Sequence, residues 1–325
     1  MANINLYNKR YYFFILSALI FISGLIGYFV NGFQKDIQFE GGTVIEMKAN
    51  EDTFTETNTQ EITSRVEEVV QKAVGKPASA QKSTAYDVNS ANAAFDVIKI
   101  SVGSENTLTN DELSKVKTAV IEELKLDANN SLVSEESVEP FIGKEISQNG
   151  VKAILISAVL IILYIWWRFK IMSGLSAGVF GVVGLTHDIL VMITVYLVFK
   201  IPVNETFIAA LLTIFGYSMN DTVIIYDRIR ENSRLLKKVS FPELVNTSII
   251  QTLNRSINTT VTVLIAVTTI FVFSQIYDIE SIREFSFPLI IGLTSGCYST
   301  IFISTPLWVM WKESQKKSKA KPVKA

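Results

Sequence analysis

Asp221 stands inside an otherwise apolar stretch, FIAALLTIFGYSMNDTVIIY (Phe207–Tyr226). A carboxylate at bilayer depth costs at least about 2.5–3.5 kcal/mol, and a chain that keeps one most often uses it to move ions or protons. A carboxylic acid poised between charged and neutral forms is suited to carrying a proton. Burial opposes the charged form unless a cation compensates. The competing reading is a buried aspartate that only hydrogen-bonds neighbouring helices. His187-Asp188 lies near the middle of a second run, GVVGLTHDILVMI. Adjacent residues on a helix point about 100° apart, so these two are expected to do different jobs. One faces another polar helix and the other lines a wet cavity. Arg255, in NRSINTTVTVLIAV, is expected just before a span or in its first turns. It is either an anchor on the basic side of the membrane or the partner of Asp221, in a pair that makes on deprotonation and breaks on protonation. Thr259 falls at i+4 from Arg255, on the same helix face, and is a candidate relay.

Smaller signals surround these groups. Gly216, Ser218 and Asn220 are small or polar and suit close helix approach and interhelical hydrogen bonds. Asp227 opens a charged cluster, Asp227–Asn232, that reads as a solvated boundary about six residues, roughly 9 Å of helix, beyond Asp221. Gly41, Gly42 and Thr43 mark either a bulge that lets another backbone approach or a flexible strand break. Conventional catalytic signatures are absent: there is no GxxxxGK[ST] phosphate loop and no GxSxG elbow. One cysteine (Cys297) and one histidine leave no Cys/His zinc site and no intramolecular disulfide. No catalytic centre, cofactor or metal is expected.

Positioning such groups requires membrane helices. The chain is 49% hydrophobic with a mean hydropathy of +0.32, too apolar for an ordinary soluble enzyme. Its apolar residues cluster near Tyr12–Val30, Val151–Trp167, Leu175–Phe199, Thr206–Tyr226, Thr259–Ile276 and Phe285–Trp311. Most of these runs reach the roughly 17–25 residues of a spanning helix, so six spans are expected. The first follows Lys9-Arg10 as a signal peptide would. It is too long for an h-region and no small-residue cleavage site follows, so it reads as an uncleaved span.

The net charge of −1 conceals an asymmetry. Residues 31–147 carry 11 Lys+Arg against 21 Asp+Glu, and the rest of the chain 19 against 10. Basic residues favour cytoplasmic loops. Both termini are therefore expected in the cytoplasm, with the acidic region outside. The same rule explains the basic tail, so no nucleic-acid partner is implied.

The external region shows a strand candidate at Asp36–Met47 and an amphipathic helix at Thr57–Val74. A weak strand candidate follows at Ala80–Val88, and Ala94–Val102 alternates clearly. A second helix at Asn110–Leu126 is capped by Thr109 or Asn110, and Ser131–Pro140 is a last strand. The fold class expected is an α-helical membrane protein of six transmembrane helices, with one α+β domain of ferredoxin-like β-α-β-β-α-β order between helices 1 and 2. The expected divisions are 1–30, 31–147, 148–311 and a cytoplasmic tail, 312–325.

GYSMNDTVIIYDRIREN (Gly216–Asn232) resembles the fourth-span signature of the SecF family, one subunit of the bacterial SecD–SecF protein-export complex. FEGGTVIE (Phe39–Glu46), VEPFIGKEI (Val138–Ile146), LTHD (Leu185–Asp188), NRSINTT (Asn254–Thr260) and FPLIIGLTSGCYSTIFISTP (Phe287–Pro306) agree in order. Gln38 departs from the aspartate common before this glycine pair. The resemblance implies a non-enzymatic subunit in the lipid bilayer, paired with SecD in an arrangement like resistance–nodulation–division transporters. It also implies work beside the SecYEG channel and its associated subunits, using the proton motive force to draw preproteins outward. By motif position it implies that Asp221 carries the proton, that Arg255 is its partner with Thr259 nearby, and that the external domain moves with the cycle. Competing readings are a small-molecule exporter of the same superfamily, a passive scaffold of the translocon, or an acidic domain that only holds emerging basic segments.

Overall fold

A computed structural model describes residues 6–36, 39, 41–50, 53–54, 58–87, 93–103, 108–127, 131–138, 140–170, 173–277 and 279–320. The chain forms two compact units. One comprises Met1–Gln34, Val151–Pro202 and Thr206–Ala325, and the other Lys35–Gly150 with Val203–Glu205.

The first unit is helical because apolar runs in hydrocarbon must close their backbone hydrogen bonds internally. Its elements are α1 (Arg10–Asn31), most of α4 (Pro140–Arg168), α5 (Gly174–Phe199), α6 (Glu205–Leu235) and α7 (Phe241–Ile276). The last are α8 (Glu280–Ser299), a π turn (Thr300–Ser304) and α9 (Thr305–Ala320). Among the described residues, six helices are long and apolar enough to cross a membrane, with α8, the π turn and α9 acting as one. Pro306, just past the π turn, has no N–H to continue the ladder there.

Several boundaries differ from the sequence expectation. Helix α6 continues to Leu235 and α7 begins at Phe241, 31 and 36 residues respectively. At 1.5 Å per residue these are about 46 and 54 Å long, well beyond the ~30 Å hydrocarbon core. The segment between the expected fourth and fifth spans is therefore a helical hairpin turning over residues 236–240. Its charge hides a buried apolar seam of Ile225, Tyr226, Ile229, Leu244, Val245 and Ile249. Asn232 Nδ2 crosses that seam to Ser248 Oγ and Gln251 Oε1, each at 2.8 Å. Ser240 caps α7, its hydroxyl accepting from Glu243 N at 3.4 Å. Arg255 accordingly lies about four turns inside α7, close to where its last roughly 20 residues, the length of a span, begin. Likewise, residues 312–320 of the expected tail continue α9.

The second unit holds β1 (Gly42–Lys48), α2 (Thr59–Val74), β2 (Ala78–Asp87), β3 (Ala93–Gly103), α3 (Asn110–Leu124) and β4 (Leu132–Val138). The first turns of α4 belong to it as well. The antiparallel sheet runs β2-β3-β1-β4. Alternate strand residues Ile45, Met47, Ile98, Ile100 and Val102 meet Val66 and Val70 of α2 and Val116 and Val120 of α3 in one core. Thr109 caps α3 in a reciprocal box with Glu112. The Lys76 ammonium, 2.9 Å away, and the Thr109 backbone N–H hold the Glu112 carboxyl down at about 2. The strand expected from Asp36 begins only at Gly42. There φ is +146°, and a Cβ would sit 2.3 Å from Val102 O. The glycine thus permits close backbone approach. Thr43 is fully buried, its hydroxyl 3.0 Å from Ser137 Oγ. Gln38 and Val88 lie outside the described residues.

Candidate functional site

Asp188 and His187 sit midway along α5, where small residues let three helices close on them. A Cβ at Gly296 of α8 would lie 3.0 Å from Ser218 Oγ and 3.6 Å from Asp188 Oδ2. Through this gap Ser218 of α6 donates to Asp188 Oδ2 at 2.9 Å, and Ser295 of α8 donates to Oδ1 at 2.6 Å. His187 turns to α1, its Nε2 2.9 Å from Ser17 Oγ. Ser17 also lies 3.2 Å from the Tyr298 hydroxyl, which donates to Phe13 O at 2.7 Å. The adjacent residues do reach different helices, as their 100° separation demands. Neither opens to a wet cavity: both are buried, and His187 Nδ1 lies 3.5 Å from Asp188 Oδ1.

Asp221, one turn beyond Ser218 on α6, is 2% exposed, and neither carboxylate oxygen has a hydrogen-bond partner among the described residues. Opposite it on α7, within reach of the carboxylate, are the buried hydroxyls of Ser256 and Thr260, which likewise make no well-formed hydrogen bond. Thr260 faces the Tyr217 hydroxyl and Cys297 as well. Buried polar atoms without partners are uncommon, and each one demands an explanation. A neutral carboxyl here has hydroxyl acceptors to donate to. A charged one has hydroxyl donors to accept from. The pocket therefore suits either form after small side-chain rotations.

The expected companions are arranged differently. Thr259 donates its hydroxyl to Arg255 O at 2.8 Å and is not among the groups found facing Asp221. Arg255 is exposed and forms no ion pair with Asp221. It lines a cleft of about 570 Å³ together with Asn220, Arg168, Asp227, Arg228 and Gln251. Asn220 and Gly216 face outward on α6, and nothing lies within 4 Å of a Cβ at Gly216. Of the three small or polar residues near Asp221, only Ser218 bridges helices. Asp227 is held by Arg168 at 3.2 Å and Arg230 at 2.5 Å. It ties α4 to α6 rather than standing as a free boundary charge.

Ser17, Tyr298, Ser256 and Thr260 escaped the sequence reading. Ser256 and Thr260 carried a usable signal, two hydroxyls at i and i+4. The pair Arg255 and Thr259 has the same spacing one residue earlier, and periodicity does not choose between faces.

Six membrane-length helices with an α+β unit following the first, and carboxylates buried in the bundle, define a multi-pass membrane protein. The protein export membrane protein family SecD/SecF, C-terminal, matches residues 117–314. The protein translocase subunit SecF of Alicyclobacillus acidocaldarius is 34% identical over 97% of this chain and 94% of its own length. The protein translocase subunit SecDF of Bacillus subtilis is 33% identical over 94% of this chain, which spans only 38% of that relative. A crystal structure of SecDF, a translocon-associated membrane protein from Thermus thermophilus, superposes with a TM-score of 0.74 at 28% identity. That match covers 95% of this chain and 39% of the solved one. The chain belongs to the SecD/SecF protein-export family.

Proposed function

We propose that this chain is the SecF half of a proton-driven accessory to Sec protein export, acting with a SecD partner beside the SecYEG channel on translocating preproteins. It works by conformational change, not by making or breaking covalent bonds, and is not an enzyme. Relatives named SecDF, of which this chain spans little more than a third, support a SecD-like half as the missing partner. The charge asymmetry supports cytoplasmic termini and an external region at 31–147, followed by the helices of 148–311.

The observation that carries this reading is the buried, unpartnered carboxylate of Asp221. When charged, it accepts from Ser256 and Thr260 and draws Arg255 inward from the cleft. When neutral, it donates to one of those hydroxyls and releases Arg255. Moving one charge through 100 mV supplies about 2.3 kcal/mol, enough to bias such a two-state change. The external domain is expected to move with that cycle, as in the related export family. Asp188 and His187 hold the bundle in register while this happens.

The test is Asp221→Asn in the full chain with its partner, reading proton-gradient-dependent export and co-purification of the complex. Export is expected to fail while assembly persists. Unchanged export would leave the chain a passive scaffold and overturn the proposal.

A further inference from the structure

A cavity of about 710 Å³ opens where α4 ends, α5 begins and α9 passes beside them. It lies away from Asp221 and takes no part in the mechanism above. Its walls are of two kinds. Trp166 and Trp311, 48% and 38% exposed, stand with the exposed Leu175 and Val179 on the outer surface of the spans. Lys170, Lys312 and Lys316 line the same cavity at its charged end. Lys312 is already seated over the rings of Phe241 (4.5 Å) and Trp308 (4.9 Å), which fixes its direction. Lys170 and Lys316 are exposed, and neither forms an ion pair among the described residues.

Tryptophan belongs at the level of lipid headgroups, with its ring in the apolar layer and its N–H toward water. Basic pockets between spans suit anionic headgroups. Here the two features share one concavity, with apolar side chains extending from it along the spans. A free anion would leave the exposed Leu175, Val179 and Trp166 uncovered. A zwitterionic lipid would leave the ammonium groups of Lys170 and Lys316 without a matching charge. We propose that this cavity binds one anionic phospholipid, its phosphate among Lys170, Lys312 and Lys316 and an acyl chain along Trp166, Leu175 and Val179. Ser173, Gly174 and Ser176 at the start of α5 line the same space, and Ser173 makes no side-chain cap. They add to the site without defining it.

Native mass spectrometry of the full chain in mild detergent tests this. The protein is supplied with equal amounts of phosphatidylglycerol and phosphatidylcholine bearing the same acyl chains. One phosphatidylglycerol is expected to be retained in preference. Lys170→Gln with Lys316→Gln is expected to lower that retention on the order of tenfold, while the Arg double variant preserves it. Lys237→Gln with Lys238→Gln removes equal charge from the α6–α7 turn and is expected to change retention less than about twofold. Equal retention of both lipids, or equal loss in the two Gln variants, would overturn the site. Displacement of the lipid by millimolar inorganic phosphate would assign the cavity to a free anion instead.

Discussion

Asp188 and Asp221 lie on neighbouring helices, 1% and 2% exposed, yet their carboxylates meet opposite surroundings. Asp188 accepts from two serines on two other helices and touches a histidine that reaches a fourth. Asp221 has the hydroxyls of Ser256 and Thr260 facing it but makes no well-formed hydrogen bond to either. A satisfied buried group adds rigidity, because losing one partner strands another polar atom. An unsatisfied one stays available to change state. Two buried aspartates in one bundle thus divide the work: one fixes the helices and the other is free to respond.

The division leads to a double dissociation. Asp221→Asn is expected to cut gradient-dependent export by on the order of a hundredfold, about 2.7 kcal/mol of barrier. Its thermal midpoint in detergent should stay at or above that of the parent, since no hydrogen bond is lost. A fall in midpoint as large as that of an Asp188 variant would erase the distinction. Asp188→Ala is expected to do the reverse, costing roughly 2–3 kcal/mol of stability by stranding Ser218 and Ser295. Denaturation with parent and variant in the same detergent reads this directly. Ser256→Ala with Thr260→Ala removes the hydroxyls around Asp221. It should slow export about fivefold, close to 1 kcal/mol, with little change in midpoint. Thr259→Val, on the outward face of α7, should alter export less than about twofold. A larger loss there than in the Ser256/Thr260 variant would restore Thr259 as the relay and reject the facing described here.

Much of the candidate site was legible because its cost is local. An aspartate within twenty apolar residues announces itself whatever its neighbours are, and His187-Asp188 does the same. The partners were not legible. Ser17 is separated from His187 by 170 residues, and a serine in a membrane helix is unremarkable until something faces it. The helical residues that precede Arg255 in α7 were not legible, because many of them are polar. Their apolar seam only becomes meaningful once Ile225 and Ile229 are seen against Leu244, Val245 and Ile249. In the second unit, alternation over Ala94–Val102 and the cap at Thr109 identified their elements correctly. Gly41-Gly42 left two readings open, and the close approach of Val102 O to Gly42 decided between them.

By itself the sequence determined the six apolar runs, the acidic region after the first of them, the β-α-β-β-α-β order and the presence of carboxylates at membrane depth. These are sums over neighbouring residues, and hydrophobicity and period are properties of a local stretch. The tertiary structure alone decided which carboxylate is satisfied. That outcome depends on where Gly296 lets α8 approach Asp188, and on a 100° rotation that turns Ser256 and Thr260, rather than Arg255 and Thr259, toward Asp221. Hydrogen bonds form over about 3 Å between helices distant in sequence, and no local pattern encodes that geometry.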